Sequence, residues 1–569
     1  MRKAAGPIIL FVPAALLLGL FFVVPIGGFM TQGFVGADGS ITLDHVRRMW
    51  EAGTYMQVML ASVNISLWVA VLSVVVGYPA AFILANADPR SKSTWTVLVL
   101  LPFWSSFLVR TFAWIVILGR QGPVNATLTA LGLTGQPLEL LYGWSAVVIG
   151  MTNVLVPFAI LTMVGVMERI DRRLVVAAGT LGARPVQAFF RVYLPLSFPG
   201  ATAAFLLVFI SALGFFMAPA LLGSARETMI TQLVIQQVTE LVNWPFAAIL
   251  CLLLLLTALL LFFLFDRLVG LSTLSGTARQ TSGESILGRR IVGALGDMFA
   301  GIAEALRLPA PLPGRRGQAT TALAVGTILF LIVPLLVLLP VSFSEREFLA
   351  WPPGQPGLRW YREVLSSSNW LDAAGRSLLV ALSTTALCLV VAVPAAFAFM
   401  RLKGGSASAA FAAMIAPLLV PRMVIAVALF YVYARLGLVG TTIGLVIGHT
   451  IIALPYVFIA VTAVLKTYDR RFDLAAASLG ATPFATVRHV TLPLIAGGVI
   501  AASLFAFVIS LDELNVALFT SGGLQSTLPK LMWDEATLRF SPLLAAVSTL
   551  VLFVMSAVIL FAARLRNNP

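Results

Sequence analysis

Four ionisable residues stand inside otherwise apolar runs: Arg110, Arg422, Asp512 and Glu513. A charge in the middle of a membrane is costly, so each is a candidate part of a pathway. Asp512 and Glu513 are adjacent, point about 100° apart on a helix, and lie some 15 residues along the apolar run near 497–519, roughly 22 Å up at 1.5 Å per residue. Two carboxylates there would guide a cation, since unit charges about 4 Å apart attract by roughly 4 kcal/mol at an effective dielectric of 20. Arg110 and Arg422, expected at similar depth, would offset that field or serve an anion. The other reading is that the four charges pair with one another or snorkel to the surface.

Other chemistry is missing from the chain. A phosphate-gripping loop reads Gly-x-x-x-x-Gly-Lys-[Ser/Thr], and none of the five lysines, Lys3, Lys92, Lys403, Lys466 and Lys530, follows a glycine. ATP binding is therefore expected on another polypeptide, and no cofactor in this chain. His45, His449 and His489 are far apart, Cys251 and Cys388 lie in apolar runs, and no catalytic set or metal cluster is legible.

The elements that must carry these residues are membrane spans. The chain has 569 residues, 60% apolar and 11% charged, with a mean hydropathy of +0.99. A soluble domain carries more charge than that. The net charge of +14 then reports basic loops held at the cytoplasmic face and gives no support for a nucleic-acid partner. Apolar runs near 7–31, 56–85, 93–119, 141–166, 200–222, 244–266, 320–342, 371–400, 408–435, 442–465, 497–519 and 541–563 are each long enough to cross a hydrocarbon core. All read as helices, the first being too long for a signal peptide. With both termini in the cytoplasm, 24 of the 37 basic residues fall inside, so that orientation is expected.

The chain also repeats itself. At an offset of 298 the stretches starting at Asp171 and Asp469 share Arg172/Arg470, Ala177/Ala475, Ala178/Ala476, Leu181/Leu479, Gly182/Gly480, Ala183/Ala481, Pro185/Pro483, Leu194/Leu492 and Pro195/Pro493. Each reads as a short helix, a turn at Leu-Gly-Ala, and a second amphipathic helix that begins near Pro and is expected to end at Leu-Pro. Pro25/Pro340, Pro79/Pro394 and Pro102/Pro417 align at 315 and Pro157/Pro455 at 298. Two halves of six spans each, 1–266 and 320–569, are thus related by an axis along the membrane normal. The joint, 267–319, is rich in Gly, Ser, Pro and Arg. In it Leu287, Ile291, Leu295, Met298, Phe299, Ile302 and Leu306 fall on one helical face. That is the pattern of a helix lying on the inner leaflet, used as a tether or, in the alternative reading, as a regulator.

These repeated loops resemble the Glu-Ala-Ala coupling loop of ABC-importer permeases. Val176 and Leu474 stand where that family usually has Glu, so an acidic contact is absent or has moved to Asp171, Asp469 or Asp473. Leu101–Trp114, Ala218–Gly223 and Trp244-Pro-Phe resemble the first permease of the spermidine/putrescine importer family, and Ser510–Phe519, Thr527–Trp533 and Phe540-Ser-Pro its second. The resemblance implies an all-α integral membrane protein of two type I permease repeats in a bacterial inner membrane. It also implies two separate ATPase subunits carrying ATP and Mg, a periplasmic or surface binding protein, a small-molecule solute and surrounding lipid as partners. In that reading Ala177, Ala178, Gly182, Ala183, Pro185, Leu194, Pro195, Ala475, Ala476, Gly480, Ala481, Pro483, Leu492 and Pro493 form the ATPase-coupling loops. The rival class is an ion-driven secondary transporter. Its basic signature would be expected between spans two and three, where this chain has only Asn86–Ser93.

The topology is directly testable. Single cysteines at Ser285 and Thr482, in a background without Cys251 and Cys388, are expected to react with impermeant thiol reagents only after cells are opened. Labelling of either in intact spheroplasts contradicts twelve spans with inner termini.

Overall fold

In lipid a backbone must satisfy its own N–H and C=O groups, which leaves helices as the simplest solution. The computed structural model is helical throughout its spans and describes residues 2–36, 38–269, 297–298, 301, 318–522, 525–539 and 541–567. Among the described residues nine helices are long and apolar enough to cross a membrane. They run Ile9–Gln32, Thr54–Asn86, Trp144–Met167, Pro185–Leu213 and Trp244–Leu264 in the first half. Gln318–Ser342, Ser368–Phe399, Thr442–Thr467 and Pro483–Leu511 follow in the second. Those nine are spans one, two, four, five, six, seven, eight, ten and eleven; the twelfth run forms the helix Pro542–Asn567.

The third and ninth runs are not straight spans. Ser91–Phe103 meets the next helix at 84°, and Gly405–Leu419 meets Arg422–Leu436 at 94°. In the ninth, Val420 precedes Pro421 and is pushed out of the helical region (φ −93°, ψ 126°), as a residue before proline is. In the third, Ser105 and Ser106 are extended and the Ser106 hydroxyl accepts from Leu108 N–H at 3.3 Å, starting a new helix.

Spans five and eleven also depart from expectation, at both ends. Leu-Pro does not end the amphipathic helix: Pro185–Leu213 and Pro483–Leu511 each run 29 residues, about 44 Å at 1.5 Å per residue. What Leu-Pro imposes is a π turn, Phe189–Tyr193 and Val487–Thr491, in which Leu194 N–H bonds the carbonyl of Phe189 and Leu492 N–H that of Val487. Proline lacks an N–H and its ring crowds the carbonyl four residues back; one extra residue in the turn makes room without breaking the helix. The same device precedes Pro25 in span one, at Gly19–Val23. At the other end the helices stop at Gly214 and Asp512, and the short helices Met217–Leu222 and Asn515–Thr520 follow. Asp512 and Glu513 therefore sit at a break rather than inside a continuous span.

The halves are interlocked. Span one packs on spans eight and nine, and span seven packs on spans two and three, so each half lends its first helix to the other. Span four runs through Pro157, whose ring leaves the Asn153 carbonyl without its helical donor; span seven runs through Pro334, which does the same for Phe330. Asn153 Nδ2 donates to the Phe330 carbonyl at 2.6 Å, joining the halves through a group that proline had freed. Close approach within each half uses the pair Gly200/Gly498. A Cβ added at Gly200 would lie 2.9 Å from Val166 Cβ, and one at Gly498 would overlap Val464, so small residues set these crossings. The apolar face expected on the joint, Leu287 to Leu306, lies outside the described residues except for Met298.

Candidate functional site

The repeated loops have the same geometry. Arg172–Thr180 and Arg471–Ser478 are short helices, and Asp171 and Asp469 accept from Arg173 N–H and Arg471 N–H, each at 2.9 Å. Both helices close the same way. Gly182 (φ +88°) and Gly480 (φ +84°) are left-handed, and Ala183 N–H and Ala481 N–H reach back to Ala178 and Ala476 carbonyls at 3.0 Å. This is the glycine-terminated Schellman closure, which a β-carbon would strain. The turn thrusts Leu181 and Leu479 outward, each 88% exposed, with Val176 and Leu474 exposed beside them. The surface that the loops present is thus apolar where the resemblance would have had an acid.

The three aspartates are engaged differently. Asp171 and Asp469 spend an oxygen on capping. Asp473 turns inward and accepts from the Tyr468 hydroxyl at 2.7 Å and Thr491 at 2.9 Å. Burial, and then that bond, hold the Tyr468 phenol above its ordinary value, so it remains a donor. The shared arginines brace each loop against the inner end of a span: Arg172 donates to the Ala85 carbonyl at 3.4 Å, and Arg470 to Met400 at 3.2 Å. Lys92 pairs with Glu168 at 2.7 Å nearby.

At the far ends of spans five and eleven the halves border a cleft of about 100 Å³, partly open to solvent. Sixteen of its 22 lining residues are repeat-equivalent pairs, which places it on the pseudo-two-fold axis. Five of those pairs differ in kind: Phe107/Arg422, Phe158/Tyr456, Gly214/Asp512, Met217/Asn515 and Ser211/Ile509. In the first four the first half supplies the apolar member and the second half the polar one; Ser211/Ile509 is the reverse. Sequence reading found Asp512 and Arg422 but missed Phe107, Phe158, Tyr456 and Asn515. Carrying the offsets of 315 and 298 beyond the prolines would have exposed them.

The four charges do not form one cluster. Arg110 is fully buried and lines no part of the cleft. One guanidinium nitrogen donates to the carbonyls of Asn153 (3.3 Å) and Val154 (3.0 Å), the first being the group freed by Pro157, and the guanidinium lies 5.3 Å from the centre of the Phe107 ring. Glu513 is buried and turned away: one oxygen accepts from Val516 N–H at 3.1 Å and the other meets Arg422 at 3.6 Å. Arg422 also reaches the Tyr456 hydroxyl at 3.4 Å. Asp512 faces the cleft, and both its oxygens lie 3.2 Å from Phe107 N–H, so a carboxylate of the second half caps a helix of the first. Among the described residues no group of three His, Cys, Asp or Glu side chains is placed to hold a metal.

Against known proteins, the family model described as "binding-protein-dependent transport system inner membrane component" matches twice, over 77–270 and 388–567. The spermidine/putrescine transport system permease protein PotB of Haemophilus influenzae is 34% identical over 255 residues, 44% of this chain and 89% of PotB. PotB of Escherichia coli is 33% identical over 207 residues, 36% and 75% of the two chains. The putrescine transport system permease protein PotI of Escherichia coli is 31% identical over 230 residues, 39% and 82%. A solved bacterial ABC transporter involved in alginate import aligns at 18% identity and a TM-score of 0.38, over 45% of this chain and 91% of its own.

The pair Arg422–Glu513 has a measurable signature. Removing one partner of a buried ion pair strands the other, at a cost of about 3 kcal/mol or more. Arg422→Met is therefore expected to lower the thermal midpoint of the purified protein clearly, and adding Glu513→Gln to recover most of the loss. Equal midpoints for wild type and Arg422→Met contradict the pairing.

Proposed function

Since the chain belongs to the binding-protein-dependent transport system inner membrane components, and carries the family's unit twice, we propose that it forms both membrane halves of an importer whose ATPase subunits are separate chains. The observation that supports this most is the coupling geometry made twice: a capped helix, a left-handed glycine, an exposed leucine, and a helix that continues into a span. Two such loops fit two ATPase subunits. A solute-binding protein outside the cell would deliver the cargo, and both termini would lie in the cytoplasm. No observation favours the ion-driven alternative.

We propose polyamines as the cargo. The relatives named for spermidine and putrescine support that class, as does a cleft whose facing carboxylate is not committed to an arginine. The mechanism follows from the two long helices. ATP closing the ATPase subunits would draw the loops together. Because each loop is continuous with span five or eleven through the π turn, that movement would be delivered some 44 Å away, where Gly214 and Asp512 border the cleft. The Asp512 cap on Phe107 would then be strained or released, opening the cleft to one side and closing it to the other.

Valine at both glycines tests the reading, because a β-branched residue in the left-handed region costs about 1–2 kcal/mol and displaces the turn. Gly182→Val with Gly480→Val is expected to abolish spermidine uptake and ATPase co-purification while the protein still reaches the membrane. Unchanged uptake and co-purification contradict the coupling role. Uptake of no polyamine by the wild-type system, with uptake of an anionic solute, contradicts the cargo.

A further inference from the structure

The axial cleft is two-fold in its backbone and one-sided in its chemistry. We propose that it holds a linear aliphatic amine in one orientation, with an ammonium on Asp512 and the carbon chain across the phenylalanines of the first half. This rests on the polyamine reading and deepens it.

Among the described residues that line the cleft, Asp512 carries the one carboxylate. Its oxygens take the Phe107 N–H and the Ser106 hydroxyl, and a carboxylate offers about four lone-pair positions, so it can still accept from an ammonium. Asn515, beside it on the second half, adds a further polar atom. On the facing side Gly214 and Met217 stand at the equivalent positions, and the rings Phe107 and Phe158 stand opposite Arg422 and Tyr456 in the repeat, none of them charged. A diamine therefore finds one carboxylate for two ammonium groups, and the second must rest on an aromatic face, a weaker contact than an ion pair. Arg110 already lies over Phe107, so of the two rings at the unlike pairs Phe158 is assigned to the second ammonium and Phe107 to the methylenes. Strong anchoring at one end and weak holding at the other suits a site that must also release its ligand.

The test needs neither ATPase nor binding protein. With Cys251 and Cys388 replaced, a single cysteine at Ser211, an exposed lining residue, is modified in the detergent-purified protein by a methanethiosulfonate reagent while amine is titrated in. Spermidine is expected to slow modification. Asp512→Asn should raise the half-protecting concentration at least tenfold for spermidine and n-butylamine alike, and Asp512→Glu should restore it to within threefold, which a misfolded protein would not do. Phe158→Leu should raise it at least fivefold for spermidine and less than twofold for n-butylamine, which has no second charge. Protection indifferent to Asp512, or equal shifts for both amines in Phe158→Leu, overturns the orientation. If spermidine is imported by the whole system yet protection ignores Asp512, the polyamine reading stands and this inference falls. If no amine is imported and none protects, both fall.

Discussion

The structure depends on how two prolines are accommodated. Pro195 and Pro493 stand where a surface segment meets a membrane span, and an ordinary α-helix would kink or stop there. The π turns at Phe189–Tyr193 and Val487–Thr491 absorb the missing donor and the crowded carbonyl with one extra residue each. A surface loop and a transmembrane helix thereby become one body. The glycine turns at 182 and 480 set where that body begins, and the breaks at Gly214 and Asp512 set where it ends.

A second constraint acts at the far end. Carbonyls freed by Pro157 and Pro334 need donors in a medium without water, and Arg110 and Asn153 supply them. One of the four charges that look like a pathway in the sequence, Arg110, is in this way structural. Glu513 is a second, held by Arg422 and the Val516 amide. What remains lining the cleft is one carboxylate, Asp512, whose repeat-equivalent position is Gly214, and Arg422. Fusion of two halves into one chain lets the lining diverge in this way while the backbone keeps its symmetry.

Much of this was legible in the sequence. The loops at 171–200 and 469–498, their glycines and the two-fold repeat follow from residue identity at fixed offsets, because left-handed turns and proline positions leave strong signals. Nine of the twelve apolar runs form helices long enough to span among the described residues, as their length implied. The bends after Trp104 and Leu419 were not seen, since hydropathy averages over a break and Ser105-Ser106 or Val420-Pro421 is short. Leu-Pro was read as a stop because proline usually is one; a π turn has no composition of its own. The break at Asp512 was not seen for a related reason, as an apolar run that reaches 519 gives no sign that the helix stops at Leu511. The exchange of first helices between halves was invisible, because spans one and seven are apolar all round and name no partner.

Spans five and eleven are expected to act as rigid bodies between loop and cleft. Spin labels at Arg184 and Ser211 lie near the two ends of span five, some 40 Å apart by helical rise, while labels at Ser211 and Ile509 face each other across the cleft. Pulsed dipolar spectroscopy on the assembled transporter, nucleotide-free and then with ATP and loaded binding protein, is expected to leave the first distance unchanged within about 2 Å and to shift the second. A first distance that changes as much as the second would make the π turn a hinge and contradict the account.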